Sequence, residues 1–186
     1  DYKRKQEIFP YLENLSQACK IPIIYITHSL EEVARLADYI VLMDAGRVVA
    51  DGALQDVLSR VDLPISLAND LGVVVKAQVL EKDLQWHLML TEFSGGELWI
   101  KDNHLAIGDS LRIRILAKDV SLSLTPQDSS ILNSLPAEVI DVVDDVDAAM
   151  ALVRLKMGAS ILISRVTRRS VDHLGLAPKL TVWAQI

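Results

Sequence analysis

The stretch from Ile21 to Gly52, IPIIYITHSLEEVARLADYIVLMDAGRVVADG, constrains this chain more than any other part of it. Ile21 to Ile26 is an apolar run of strand length, rich in isoleucine, the pattern of a strand buried on both faces. It ends at Thr27-His28, the carboxyl end at which an α/β sheet presents its ligand-binding groups. Ser29 then predicts a helix N-cap, and Glu32, three residues on, completes a capping box. Val33, Ala34, Leu36 and Ala37 supply the apolar face. Tyr39 to Met43 reads as a second buried run, Asp44-Ala45-Gly46 as a turn, and Arg47 to Ala50 as a short strand ended by Asp51-Gly52. A neutral imidazole at position 28 can donate one hydrogen bond to a phosphate oxygen, and the helix start that follows favours anions.

These residues, taken as a joined pattern, resemble the switch-histidine end of an ABC-transporter ATPase domain across residues 1 to 60. The resemblance implies a P-loop α/β fold and a catalytic role for His28 at the γ-phosphate of ATP. It also implies that Asp1 falls where the family closes the loop after its acidic pair. The chain contains no G-x-x-x-x-G-K-[ST] loop to cradle phosphates, and no strand ending in Asp-Glu to hold Mg2+ and polarise water. The expectation is therefore the C-terminal portion of a longer ATP-hydrolysing subunit, with ATP and Mg2+ as its cofactors when intact and no turnover by this portion alone.

Phe93 to Glu97, FSGGE, imitates the LSGGQ signature of the same family. In the family that signature precedes the switch histidine, whereas here the stretch follows it. Trp86 to Leu90 and Leu98 to Ile100 are strand-like, so Gly95-Gly96 predicts a hairpin.

Length and composition bound the remaining readings. With 186 residues and 51% hydrophobic content, one to two domains with real cores are expected. The apolar runs are far short of the ~20 residues of a membrane span, and no signal peptide is visible. A net charge of −6 disfavours a nucleic-acid partner, which asks for a basic face. The single Cys19 fits a reducing compartment and shares a helical stripe with Ile8, Leu12 and Leu15, which predicts a buried thiol; Pro10 should kink or restart that helix.

Ala53 to Arg60 reads as a short amphipathic helix, and residues 61–72, with Pro64, Asn69, Asp70 and Gly72, as a linker. From Val73 to the end, helical periodicity gives way to short alternating runs, the mark of a small β-barrel. A weak repeat runs through this part. Ala77, Val79 and Leu80 match Ala137, Val139 and Ile140, and GDSLRIRI (108–115) matches APKLTVWA (177–184), with a helix around Arg168 to Leu174 inserted in the second copy. The expected arrangement is two half-barrels, 73–127 and 128–186, side by side.

The second copy, in SSILNSLPAEV, VTRRSVDHLGLAPKL and WAQI, resembles the Mop module, an oligonucleotide-fold barrel of molybdate-binding proteins also related to TOBE domains. With the first 60 residues it resembles the ATP-binding subunit of an ABC-type molybdate importer. The fold class implied is an α/β fragment followed by an all-β tandem barrel. The resemblance places an oxyanion on Ser129, Ser130, Asn133, Thr167, Arg168 and Ser170, donors suited to a molybdate dianion. Leu132 stands where many such modules carry an arginine. The implied partners are a second copy of the subunit and the membrane-embedded permease subunits, and the implied place is the cytoplasmic face of the cell membrane. Two other readings fit the same residues: an importer ATPase for sulfate, a sugar, a polyamine or iron, and a stand-alone molybdate-binding module.

Three further groups invite blander readings. Asp141, Asp144, Asp145 and Asp147 lack the spacing of a calcium loop and read as a solvated hairpin. His87, His104 and His173 have no zinc-like spacing. Trp86, Trp99 and Trp183 are expected in strands, as core.

Overall fold

The computed structural model describes residues 7–9, 11–12, 15, 22–62 and 71–186. Asp1, Pro10, Cys19, Ile21, Pro64, Asn69 and Asp70 lie outside the described residues. The chain divides into two compact units, Asp1–Val57 and Leu58–Ile186.

In the first unit, helix α1 (Leu30–Leu36) is followed by strands β1 (Tyr39–Asp44) and β2 (Arg47–Ala53) and by a short helix α2 (Leu54–Leu58), within which the boundary falls. β1 and β2 form an antiparallel hairpin in which Asp44 pairs with Arg47. Ala45 and Gly46 turn it with φ of 46° and 77°, the left-handed pair that matches strand twist. Among the described residues of this unit, Phe9, Glu32, Ala34, Ile40, Ala50, Leu54 and Val57 are buried.

Two expectations fail here, for one reason. Residues 22–27 form no strand, and Ile24 and Ile26 are 90% and 93% exposed. The run Tyr39–Met43 is a strand, yet Tyr39, Val41 and Met43 are exposed and only Ile40 is buried. A strand buried on both faces needs paired neighbours and covering layers. Among the described residues nothing pairs with 22–27, and β1 has only β2 beside it. The stripe of Ile8, Leu12 and Leu15 is not buried either. Ile8 and Leu15 are exposed, while the neighbouring Phe9 is buried with the Arg35 guanidinium 4.7 Å from its ring centre.

The second unit is β-rich. β3 (Gly72–Asp83), β4 (Leu88–Phe93), β5 (Gly96–Lys101) and β6 (Ser110–Leu116) make an antiparallel sheet in the order β5-β4-β3-β6. A 3-10 turn (Ala117–Asp119) leads to the short β7 (Ser121–Ser123). β8 (Ser134–Asp144), β9 (Met150–Met157), β10 (Ser160–Thr167), helix α3 (Arg168–Leu174) and β11 (Thr181–Gln185) complete it. Their sheet runs β10-β9-β8-β11-β7, so β7, although it precedes residue 127, adds to the second sheet. Both sheets face one shared core that includes Val73, Val75, Leu98, Val139, Leu155, Leu162 and Val182.

The repeat is visible in the backbone. β3 bulges at Leu80 and β8 at Ile140, the positions that matched in sequence. The last strands correct the sequence match by two residues. The Val79 N–H donates to Asp109 O and Gly108 N–H to Val79 O, as the Val139 N–H donates to Leu180 O and Lys179 N–H to Val139 O. Gly108 is thus equivalent to Lys179, not Ala177, and both have positive φ. A two-residue slip keeps every side chain on its own face, so an alternating pattern cannot exclude it.

FSGGE is the β4–β5 turn, with Phe93 paired to Gly96. Its tip docks on the equivalent β9–β10 turn: the Ser94 and Ser160 hydroxyls hydrogen-bond, and a Cβ on Gly158 would stand 1.9 Å from Ser94 O. Trp86 is not in a strand but in the β3–β4 turn, 66% exposed, because Asp83 Oδ1 accepts the N–H groups of Gln85 and Trp86 and starts that turn early. Trp99 and Trp183 lie in β5 and β11 as expected, each half-buried.

Candidate functional site

His28 sits in a bend directly before α1, its side chain exposed. Ser29 caps the helix: its Oγ accepts the Glu32 N–H at 3.4 Å. The other half of the expected capping box takes a different form. The Ser29 N–H donates to Thr27 Oγ1 at 3.0 Å, and Thr27 in turn donates to the Glu32 carboxylate, which also accepts from the Tyr25 hydroxyl at 3.1 Å. Glu32 is only 7% exposed. It therefore ties together the residues on both sides of His28, so the imidazole projects from a backbone braced at 27 and 29. Tyr25 and Glu32 were legible in sequence only as an apolar-run residue and a cap, because their bond spans seven positions.

The six oxyanion candidates form two groups. Ser129 and Ser130 are exposed in a bend, where Ser129 Oγ accepts the Ile131 N–H. The Asn133 amide spans the Trp99 peptide of β5, accepting its N–H at 2.7 Å and donating to its carbonyl at 2.9 Å. Asn133 is thus engaged as a strut on an edge strand. This group stands at the Ser134 end of β8. Thr167, Arg168 and Ser170 stand at the other end. Thr167 caps α3 by accepting the Ser170 N–H at 3.0 Å, the Thr167 and Ser170 hydroxyls lie 2.8 Å apart, and Arg168 pairs with Asp144 at 2.8 Å. The Arg168 N–H also donates to Ala149 O in the β8–β9 connection. The groups are separated by the length of β8, roughly 30 Å of strand. One chain does not bring them together. In the second group, one of the two hydroxyl protons is used between Thr167 and Ser170, which leaves one free to donate outward.

The acidic cluster lies on the β8–β9 hairpin with Asp144 and Asp147 exposed, as expected, but Asp145 is buried and the carboxylates are not simply solvated. Asp141 takes a two-pronged contact from Arg154, Asp145 from Arg165 at 2.5 and 3.3 Å, and Asp144 pairs with Arg168, while Asp147 accepts the Ala149 N–H. Cross-strand register makes the first of these pairs, since Asp141 faces Arg154 on the adjacent β9. Among the described residues no group of three or more His, Cys, Asp and Glu is placed to hold a metal ion. His87, His104 and His173 are all exposed.

The Arg154 guanidinium lowers the Asp141 pKa. For Asp145, burial opposes the charge, but the Arg165 side chain and the backbone N–H groups of Asp147 and Val146 outweigh it, and the net shift is downward. A lowered native pKa contributes stability that is present in full above the ordinary carboxylate value near 3.9 and is lost as pH falls below it. The urea midpoint is accordingly expected to fall as pH drops from about 5 to about 3. Asp145→Asn, which leaves Arg165 only 20% exposed and unpaired, should cost about 2 kcal/mol at neutral pH and flatten that acid limb. Denaturation curves at several pH values check both.

No helix among the described residues is long and apolar enough to cross a membrane. Residues 129–186 match the TOBE domain. Across all of its length the chain is 52% identical to the molybdenum import ATP-binding protein of Thiobacillus denitrificans, 46% to that of Methylococcus capsulatus and 48% to one from Azotobacter vinelandii. It spans about half of those relatives, 52% in each case. In structure it is similar to the cytoplasmic molybdate-binding protein ModG with molybdate bound. The TM-score is 0.52 at 24% identity, covering 61% of this chain and 88% of that one. At that identity the likeness speaks for the fold alone, and it bears out a tandem of oligonucleotide-fold-like half-barrels. Along its whole length, then, the chain is similar in sequence to molybdenum import ATP-binding proteins, with a TOBE domain at residues 129–186.

Proposed function

We propose that this chain is the C-terminal part of the energy-coupling subunit of a molybdate importer: residues 1–60 the end of its ATPase domain, 61–72 a linker and 73–186 a regulatory barrel domain. The observation that carries the reading is the match of all of this chain, to about half the length of molybdenum import ATP-binding proteins, at 46–52% identity. In the intact subunit, ATP with Mg2+ binds mainly to residues outside this portion, and Asp1 closes the loop next to them. His28 donates one hydrogen bond to the γ-phosphate, where a fixed donor stabilises charge that builds up as the phosphoryl group transfers. The Thr27–Glu32–Tyr25 bonding supports that role by holding the His28 backbone still.

Molybdate feedback belongs to the barrel domain. The separation of the Ser129–Asn133 group from the Thr167–Ser170 group supports a cavity closed by a second copy of the subunit, one chain presenting each end of β8. Arg168 then exchanges Asp144 for the anion, and the subunit works as a homodimer on permease subunits at the cytoplasmic face of the membrane. Bound ligand stabilises the folded state by RT ln(1 + [L]/Kd), so molybdate at about 100 times its Kd adds about 2.7 kcal/mol. Thermal unfolding with molybdate, with sulfate and with neither is the test. An upward shift with molybdate that exceeds the shift with sulfate is expected, and no shift at millimolar molybdate would remove the oxyanion role.

A further inference from the structure

At the Ser134 end of β8, two polar atoms are buried with no hydrogen-bond partner among the described residues: Ser134 Oγ and Gln185 Nε2. The two residues sit directly opposite one another on β8 and β11, and Gln185 is in turn opposite Ser121 on β7. Cross-strand partners share a face. That face is the one turned away from the core, because the alternate residues Leu135, Ala137, Val182 and Ala184 are those that pack inward. Yet Gln185 is only 7% exposed there, while Pro136, Glu138, Thr181 and Ser121 on the same face are exposed. An amide on a residue more than nine-tenths buried on the outer side of a sheet, beside the covered hydroxyl oxygen of the partly buried Ser134, is costly without partners, about 1–3 kcal/mol for each unsatisfied group.

We infer that Ser134 and Gln185 are ligand-binding donors for the oxyanion of the barrel domain, taking up the part the resemblance gave to Asn133. This rests on the oxyanion reading above and names further residues for it. Asn133 spends its amide on the Trp99 peptide. Leu132 brings no charge and lies 65% exposed. The unspent donors of this end are the Ser134 hydroxyl and the Gln185 amide, four and more residues beyond Ser130 and next to no carboxylate at positions 121, 123, 134, 136, 183 or 185. Neutral O–H and N–H donors suit a tetrahedral oxyanion, whose ionised oxygens accept hydrogen bonds.

The test uses the 186-residue chain, molybdate as the probe, and the double variant Ser134→Ala with Gln185→Met, which keeps volume and removes both orphan groups. Without ligand, the variant should unfold at the same temperature as the parent or higher, since no described residue bonds to the Ser134 Oγ or Gln185 Nε2 that it removes. With molybdate, its thermal shift should fall away, corresponding to at least about tenfold weaker binding, and Asn133→Asp should distort the fold rather than act on binding alone. A parent that responds to molybdate and a double variant that responds equally would overturn this inference and leave the proposed function standing. A parent that does not respond overturns both.

Discussion

Gly158→Ala is expected to unfold much of the β-rich unit, with a loss of about 3 kcal/mol or more, whereas Gly175→Ala is expected to cost only about 1 kcal/mol. Both glycines hold a left-handed backbone, with φ of 58° and 60°, so both substitutions carry the same intrinsic strain. They differ in what surrounds them. A Cβ on Gly175 meets nothing within 4 Å, while one on Gly158 falls 1.9 Å from the Ser94 carbonyl oxygen, a backbone atom with no rotamer to yield. The β9–β10 turn would have to withdraw from the β4–β5 turn, breaking the Ser94–Ser160 contact and opening the core beside Phe93 and Met157. Urea denaturation of the two variants side by side measures the difference; equal losses would show that the two turns do not depend on each other.

His28→Ala in the complete subunit should reduce ATP turnover on the order of a hundredfold while nucleotide binding persists. One oriented donor removed from a phosphoryl-transfer site typically costs that much in rate, and on the proposed reading most of the nucleotide affinity comes from residues outside this portion. A second variant separates chemistry from positioning. Glu32→Gln keeps the shape but weakens the bonds from Thr27 and Tyr25, so it should give a smaller loss that Glu32→Asp partly restores. Steady-state turnover measured with nucleotide binding checks this; normal turnover by His28→Ala would leave His28 a structural residue before a helix.

Much of the local structure was legible in the residues. Ser29 as an N-cap, the Ala45-Gly46 turn, the FSGGE hairpin and the helix Arg168–Leu174 all follow from contacts within a few positions, which a linear pattern records. The repeat was legible at Val79 and Val139 because a bulge leaves an apolar pair out of alternation. It was misplaced by two residues at Gly108 because alternation has a period of two. Trp86 lies outside the strand its type suggests because Asp83 ends that strand first, which nothing in the tryptophan itself reveals.

By itself, the sequence determined which residues cap, turn and alternate, and the joined pattern around His28 determined the likeness to an ATPase. Those are properties of neighbours along the chain. Only the tertiary structure decided that Glu32 is a buried brace, that the four aspartates of 141–147 are spent on arginines and a turn, that Asn133 serves Trp99, and that the two halves of the expected oxyanion site stand at opposite ends of β8. Each depends on which strand lies beside which, and in what register. A residue's chemistry can be read from its type, but the partner that uses it is set by the pairing of segments far apart in the chain.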